Sequence, residues 1–243
     1  MNSIVLVTGG SRGIGAATAV HLAKLGYAVC VNYLSNETEA NNVVAKIEGN
    51  GGKAIAVQAD VANENDVIRL FKVIDSSLGR ITHLVNNAGI VLPQMRVSEM
   101  SAERINKVLT NNVTSYFLCC REAIKRMHNG GSIVNVSSAA ARLGAPSEYV
   151  DYAASKGAID TLTRGLSLEV AADNIRVNCV RPGFIHTNMH SDGGEADRIE
   201  RLKKLIPLRR GGEPEEVAAS IVFLLSNEAS YITGTFVDLA GGK

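Results

Sequence analysis

Short runs of consecutive apolar residues alternate along this chain with longer stretches in which apolar residues recur every three or four positions. The first kind reads as strands buried on both faces, the second as helices with one apolar side. The runs cover residues 3–7, 28–33, 54–58, 83–85, 132–136, 176–180 and 236–239. After the first comes a helical pattern with Ile14, Ala17, Val20, His21 and Leu25 on one side, ended by Gly26. A polar-faced helix follows, started by Ser35-Asn36-Glu37 and stopped at 49–52. Further helices are expected over 63–78, 101–127, 149–171 and, behind the start signal Pro214, 213–225.

Val/Ile-rich strands alternating with helices predict a parallel sheet covered on both faces. Right-handed crossovers make it an α/β, Rossmann-type doubly wound sheet of about seven strands, with ligands beyond the carboxyl ends at the switch point. Residues 1–243 read as one domain, without repeat, low-complexity tract or linker. The stretch 184–208, with Gly193-Gly194, is too irregular and too long for a plain connection, and a substrate lid is expected there.

Composition narrows the class of partner. Apolar residues make up 46% and charged residues 20%, with no Trp, as in an ordinary globular chain. The net charge of +1 argues against a nucleic-acid footprint or a basic membrane-facing surface. Cys30, Cys119, Cys120 and Cys179 form no C-x-x-C and read as small buried hydrophobes of a reducing compartment. No apolar stretch reaches transmembrane length, and the first strand follows with no basic leader or signal segment. No His or Cys grouping has metal-ligand spacing. A cytoplasmic protein without a metal is expected.

Candidate chemistry gathers at Tyr152-Ala153-Ala154-Ser155-Lys156. On a helix, residues four apart share a face, so the ammonium of Lys156 lies one turn from the phenol of Tyr152. A nearby cation favours the phenolate, and lowering a phenol pKa by about 3 units takes roughly 4 kcal/mol. A tyrosine tuned this way exchanges protons near neutral pH. Tyr149 is the rival phenol, but four residues later it meets uncharged Ala153.

Gly9, Gly13 and Gly15 fall between the first strand and the first helix, where glycines permit a tight turn and close backbone approach to a pyrophosphate at the helix start. Their spacing is G-x-x-x-G-x-G. Here the chain resembles the short-chain dehydrogenase/reductase family in its short single-domain form, and the resemblance runs over essentially the whole chain. Thr8-Gly9-Gly10-Ser11-Arg12-Gly13-Ile14-Gly15 is similar to the family's cofactor loop. Asp60-Val61 resembles its adenine-pocket acid, and Asn86-Asn87-Ala88-Gly89 its Asn-Asn-Ala-Gly signature, with Asn86, Ala88 and Gly89 at the cofactor. Asn112, Ser138, Tyr152 and Lys156 stand where the family has its catalytic set. Ser137 is also available in the Val-Ser-Ser run, and the family pattern favours Ser138. Pro182, Gly183, Ile185 and Thr187 resemble the stretch along the nicotinamide.

The resemblance implies an oxidoreductase that passes a hydride between a nicotinamide and a carbonyl or alcohol. Tyr152 would supply the proton and, with Lys156, stand among the cofactor contacts, and Ser138 would give a polarising hydrogen bond. Lys156 would hold the ribose hydroxyls, and Asn112 a water leading from Lys156 to solvent. It further implies a homotetramer using the 101–127 helix, the Tyr152 helix and the C-terminal helix and strand. The apolar Ala158, Ile159, Leu162, Leu166 and Leu168, more than one core face requires, agree with that.

An acid ending the second strand would repel a 2′-phosphate. This chain has Asn32-Tyr33-Leu34 there and no acid before Glu37, while Arg12 projects from the glycine loop toward the same region. NADP(H) is therefore expected over NAD(H), with Asn32 as a further contact. His186, His190 and the basic residues Arg201, Lys203, Lys204, Arg209 and Arg210 fall in or beside the lid and read as solvated. The substrate classes expected are 3-oxoacyl thioesters, sugars or polyols and other small ketones. The competing expectation is a catalytically silent nucleotide-binding scaffold or redox-sensing regulator.

Overall fold

A computed structural model describes residues 3–243. Seven parallel strands form one sheet in the order β3-β2-β1-β4-β5-β6-β7. They are β1 (Ile4–Val7), β2 (Ala28–Tyr33), β3 (Lys53–Gln58), β4 (His83–Asn86), β5 (Gly131–Val136), β6 (Ile175–Pro182) and β7 (Phe236–Leu239). The order reverses between β1 and β4, whose register pairs Val5 with His83 and Val7 with Val85. All residues of β1 and β2 are buried, which is why β1 is wholly apolar and β2 is apolar but for Asn32.

The main crossovers are α1 (Gly13–Lys24), α2 (Glu37–Gly49), α3 (Glu64–Ser77), α4 (Ala102–Leu109) and α5 (Ser115–Ile124). After β5 come α6 (Ala140–Leu143), α7 (Val150–Glu169), α8 (Met189–Asp192), α9 (Arg198–Leu202) and α10 (Pro214–Leu225). Local chemistry sets the starts. Asn36 accepts from the Glu39 amide, Asn63 from those of Asn65 and Asp66, and Ser101 from that of Arg104. A Glu213–Glu216 capping box with Pro214 just inside opens α10. Two apolar layers result, one around Leu6, Phe71 and Ile133 and the other around Val7, Leu22 and Ile221.

Three expectations change in detail. The helix expected over 101–127 is two helices joined by a π-helical turn at Thr110–Thr114, which contains Asn112. In α1 the buried face is Gly15, Thr18, Ala19, Leu22 and Ala23, offset from the expected stripe, and Leu25 is exposed. Small residues there let the helix lie close to the sheet, and the larger Ile14 and Val20 pack at the edges. The 184–208 stretch is not structureless: it contains α8, α9 and a 3-10 turn at Lys203–Leu205. No described helix is long and apolar enough to cross a membrane.

Candidate active site

At the carboxyl ends of the strands the glycine loop turns from β1 into α1 around a cleft of about 430 Å³. Gly9 has φ +58°, a conformation that side chains disfavour. Gly15 meets a steric limit instead: a Cβ there would sit 2.3 Å from the Gly9 carbonyl and 2.7 Å from the Asn87 amide. Its role is to seat the helix start on the loop. Gly15→Ala is therefore expected to destabilise the chain by about 1–3 kcal/mol. Denaturant unfolding reads this directly, and an unchanged midpoint would contradict it.

The loop is held from three sides. Thr8 Oγ1 donates to the Val85 carbonyl (3.3 Å) and accepts from the amides of Asn87 (2.9 Å) and Ala88 (3.0 Å). Asn87 Nδ2 donates to the carbonyls of Thr8 (3.0 Å) and Gly9 (3.1 Å). Asn32 Oδ1 accepts from the Gly9 amide (3.3 Å), and its Nδ2 donates to the Ala59 carbonyl (3.0 Å). No side chain caps α1, so its first amides are left for an anion.

Of the residues expected to hold a cofactor, Gly9, Ser11, Arg12, Gly13, Ile14, Asn32, Asp60, Val61, Ala88, Gly89 and Thr187 line this cleft. Others do not. Asn86 is buried, donating from Nδ2 to Asn135 Oδ1 (2.9 Å) and Cys120 Sγ (3.2 Å), so it braces the sheet. Gly15 is buried beneath the loop. Pro182 is buried, and its carbonyl accepts from the Ala139 amide (2.9 Å). Ile185 is buried, and it faces a separate small cavity beside Val217. Asn32 lines the wall, but its side chain is spent on the loop and on β3's end. Arg12 is exposed at the mouth and pairs with Asp192 of α8 at 2.5 Å. Residues the sequence reading missed include Asn87, Leu34, Ser35 and Asn36. The signal for the last three was at hand: the end of β2 is where a cofactor's ribose is read.

Beside it opens a second cleft, also about 430 Å³, lined by Ser138, Tyr152 and Gly183 with Val91, Leu143, Pro146, Phe184, Met189 and Leu202 among its apolar walls. Met189 belongs to both clefts. Ser138 Oγ accepts from the Ala140 amide (3.1 Å), which fixes it at the end of β5. Ser137 is buried below and donates to the Lys156 carbonyl (3.0 Å), so it braces α7. Tyr152 is half-buried on the wall. Tyr149 OH donates to the Gly193 carbonyl (3.0 Å) and its ring lies under the Arg198 guanidinium, so the rival phenol anchors the 184–208 segment.

Lys156 is buried between the clefts. Its Nζ donates to the Val136 carbonyl (2.8 Å) and Tyr116 OH (3.3 Å) and lies 5.7 Å from the Tyr152 ring centre. A Cβ on Gly89 would come within 3.6 Å of Nζ, so the ammonium lies beside the cofactor cleft's wall. Tyr116, one turn after Asn112, went unnoticed in the sequence. Asn112 Oδ1 accepts from the Ile90 amide (2.8 Å), while Nδ2 donates to the Ile90 carbonyl (2.9 Å) and Ser155 Oγ (3.1 Å). It ties the π turn to the post-β4 loop and to α7.

The electrostatics correct one expectation. Burial pushes the Tyr152 phenol up to about 12, and the Ser138 hydroxyl only partly opposes it. Burial brings Lys156 down to about 8, against weaker upward pulls from Cys179 and Asp160. The net shift is upward because desolvation of the phenol outweighs the stabilisation of the phenolate by the Lys156 ammonium, whose donors are turned to Val136 and Tyr116. The four cysteines are free and buried, with thiol pKa values raised by desolvation.

The glycine-loop cleft and the Ser138–Tyr152 cleft thus lie side by side, with Met189 in both and Lys156 buried beside them. A family model described as enoyl-(acyl carrier protein) reductase matches residues 9–243. The chain belongs to the short-chain dehydrogenase/reductase family, a family of oxidoreductases. Among its curated relatives, an uncharacterised oxidoreductase of Escherichia coli, YgfF, is 62% identical, covering 99% of this chain and 100% of that protein. A 3-oxoacyl-[acyl-carrier-protein] reductase of Synechocystis is 43% identical, over 98% of this chain and 96% of that one. Among solved structures, a dehydrogenase/reductase of Sinorhizobium meliloti superposes with TM-score 0.93 at 32% identity, covering 99% of this chain and 94% of the other. A double mutant of a Serratia marcescens short-chain dehydrogenase/reductase gives 0.92 at 36%, covering 99% and 97%.

Proposed function

We propose that this dehydrogenase/reductase uses NADP(H) to reduce a ketone, and that a 3-oxoacyl thioester is its substrate class. The observation that carries the reading is the placing of the Ser138 and Tyr152 side chains on one apolar cleft, next to the glycine-loop cleft and above Lys156.

A dinucleotide fits the residues present. The uncapped start of α1 faces the loop, and Ser11, Gly13 and Thr187 line the same wall as Asp60 and Val61. When bound, the reduced cofactor supplies a hydride. The chain's own residues do the rest. Ser138 orients and polarises the carbonyl oxygen. Tyr152, protonated throughout the neutral range, gives its proton to that oxygen as alkoxide character develops. Lys156, charged below about pH 8, stabilises the phenolate left behind and is placed to meet ribose hydroxyls. The apolar walls at Val91, Leu143, Phe184 and Leu202 suit an acyl chain better than a polyol. The Synechocystis relative's name agrees with that choice.

Preference for NADP(H) rests on Arg12 at the mouth and on the absence of an acid at the end of β2. A charge-assisted contact to the 2′-phosphate contributes about 1.5–3 kcal/mol. Arg12→Ala is therefore expected to weaken NADPH binding ~10- to 100-fold and leave NADH unchanged, read by fluorescence titration. Equal loss for both cofactors would overturn the assignment.

We place the protein in the cytoplasm, where four free buried thiols persist. We infer self-association, as a tetramer, through outer faces that leave Phe117 of α5 and Leu168 of α7 exposed. The functional test is a panel of 3-oxoacyl thioesters, sugars, polyols and enoyl thioesters, run with NADPH and NADH in parallel. Carbinol formation from the 3-oxoacyl substrates supports the reading. Saturated product from the enoyl substrates alone would shift it to carbon–carbon double-bond reduction. Tight NADPH binding without turnover would make the chain a scaffold.

A further inference from the structure

We infer that Arg104 and Asp151 are positioning residues that hold the start of the Tyr152 helix to the loop after β4, which carries Val91 of the cleft wall. The inference rests on the reading of Tyr152 as proton donor. Asp151, directly before Tyr152, is buried, with its side chain 2% exposed, and Arg104 on α4 is 9% exposed. Asp151 Oδ1 accepts from the Tyr152 backbone amide (2.9 Å), and Oδ2 accepts from Arg104 Nε (2.8 Å). Arg104 Nη1 donates to the Pro93 carbonyl (2.8 Å).

Pro93 lies in the loop between β4 and α4, beneath the lid. Its neighbours hold both lid and helix: Gln94 Nε2 donates to Glu195 Oε2 (2.8 Å), and the Met95 amide donates to the Glu148 carbonyl (3.0 Å). One guanidinium thus joins α4, the first turn of α7 and the loop after β4. The guanidinium donates to the Pro93 carbonyl and to the Asp151 carboxylate, and that carboxylate in turn accepts from the Tyr152 amide, so the chain of bonds fixes direction as well as distance.

The pair is poorly built for stability. Burying two charges costs desolvation that their attraction does not reliably return. The cost is greater here because Arg104 Nη2 has no partner, the one buried side-chain nitrogen or oxygen in that state among the described residues. Two apolar side chains would fill the space at lower cost. What they would lack is a directional link between the Tyr152 amide and Pro93. Proton transfer is sensitive to displacement on the scale of 1 Å, which can cost ~100-fold in rate.

The test uses the full chain with Arg104→Met, Asp151→Asn, Arg104→Lys and the double variant Arg104→Met/Asp151→Asn. Arg104→Met alone leaves a buried carboxylate unpaired and is expected to fold poorly. The double variant decides, because it removes both charges and keeps an acceptor for the Tyr152 amide. It should melt within about 3 °C of the parent or higher. It should bind NADPH with unchanged affinity and lose ~10- to 100-fold in kcat with little change in KM. Arg104→Lys should recover part of the loss. A double variant with parental kcat overturns the inference. So does one whose kcat, NADPH affinity and melting temperature fall together, since that marks a purely structural pair. If the parent turns over no substrate, the reading of the site fails, and the pair is judged by the ¹³C ring signal of labelled Tyr152. A shifted signal in the folded double variant supports positioning, and an unchanged one overturns it.

Discussion

Tyr152→Phe is expected to lower kcat for ketone reduction by about 10³-fold while leaving NADPH affinity within about threefold of the parent. The substitution removes only the hydroxyl. Without it the alkoxide oxygen keeps the Ser138 hydrogen bond but has no proton donor at hand. Tyr152 lies on the wall of the apolar cleft and does not line the glycine-loop cleft, so cofactor binding has no reason to change. Steady-state kinetics with a 3-oxoacyl thioester and a separate NADPH titration measure both halves. Equal loss of binding and turnover would contradict the assignment, and so would a Phe variant that retains most of its rate.

Lys156→Met should lower kcat by about 10²- to 10³-fold, the range seen when one preorganised charge donor is removed. It should also abolish the pH dependence. In the parent, reduction is expected to hold steady up to about pH 8 and fall above it, because Lys156 there loses the charge that stabilises the phenolate. The Tyr152 phenol, near 12, does not titrate in that range. Stability moves the other way. Burial lowers Lys156 from 10.5 to about 8, so between those values the unfolded chain binds a proton that the folded chain does not. Stability therefore rises with pH across that window, by up to about 3 kcal/mol in total. The Met variant should lack this rise and be the more stable chain near pH 7. Unfolding in denaturant at pH 7 and pH 10 tests it, and an identical pH slope in both proteins would refute it.

Much of this architecture was legible in the sequence, and what was missed has physical causes. β1 and β2 were readable because each of their residues is buried, which leaves apolar runs broken only by Asn32. The cap at Asn36 and the proline at 214 announced helix starts through the chemistry of free amides. The buried face of α1 was misplaced because Gly15, Thr18 and Ala19 carry little hydrophobic signal, though their small size is what brings helix and sheet together. The π turn at 110–114 leaves no mark in apolar periodicity.

At the site, residue types pointed to the right region, but partners could not be read. Asn32 and Asn86 stand beside the cleft in sequence terms, yet their amides are taken up by Gly9, Ala59 and Asn135. The Tyr152–Lys156 spacing placed both groups on one face, but the direction of the phenol's shift depends on desolvation and on where the ammonium points. Both are tertiary facts. The Arg104–Asp151 pair was silent for the same reason, since its members lie 47 residues apart.

The central claim is that the apolar cleft holds a ketone whose carbon receives hydride from the neighbouring nicotinamide site while Tyr152 protonates its oxygen. The most direct measurement is label transfer with NADPH deuterated at C4 and a 3-oxoacyl thioester, followed by mass spectrometry of the product. The account predicts one deuterium on the carbinol carbon with the parent chain, and product reduced about 10³-fold with Tyr152→Phe. Deuterium at a carbon–carbon position, or equal labelled product from the Phe variant, would contradict it.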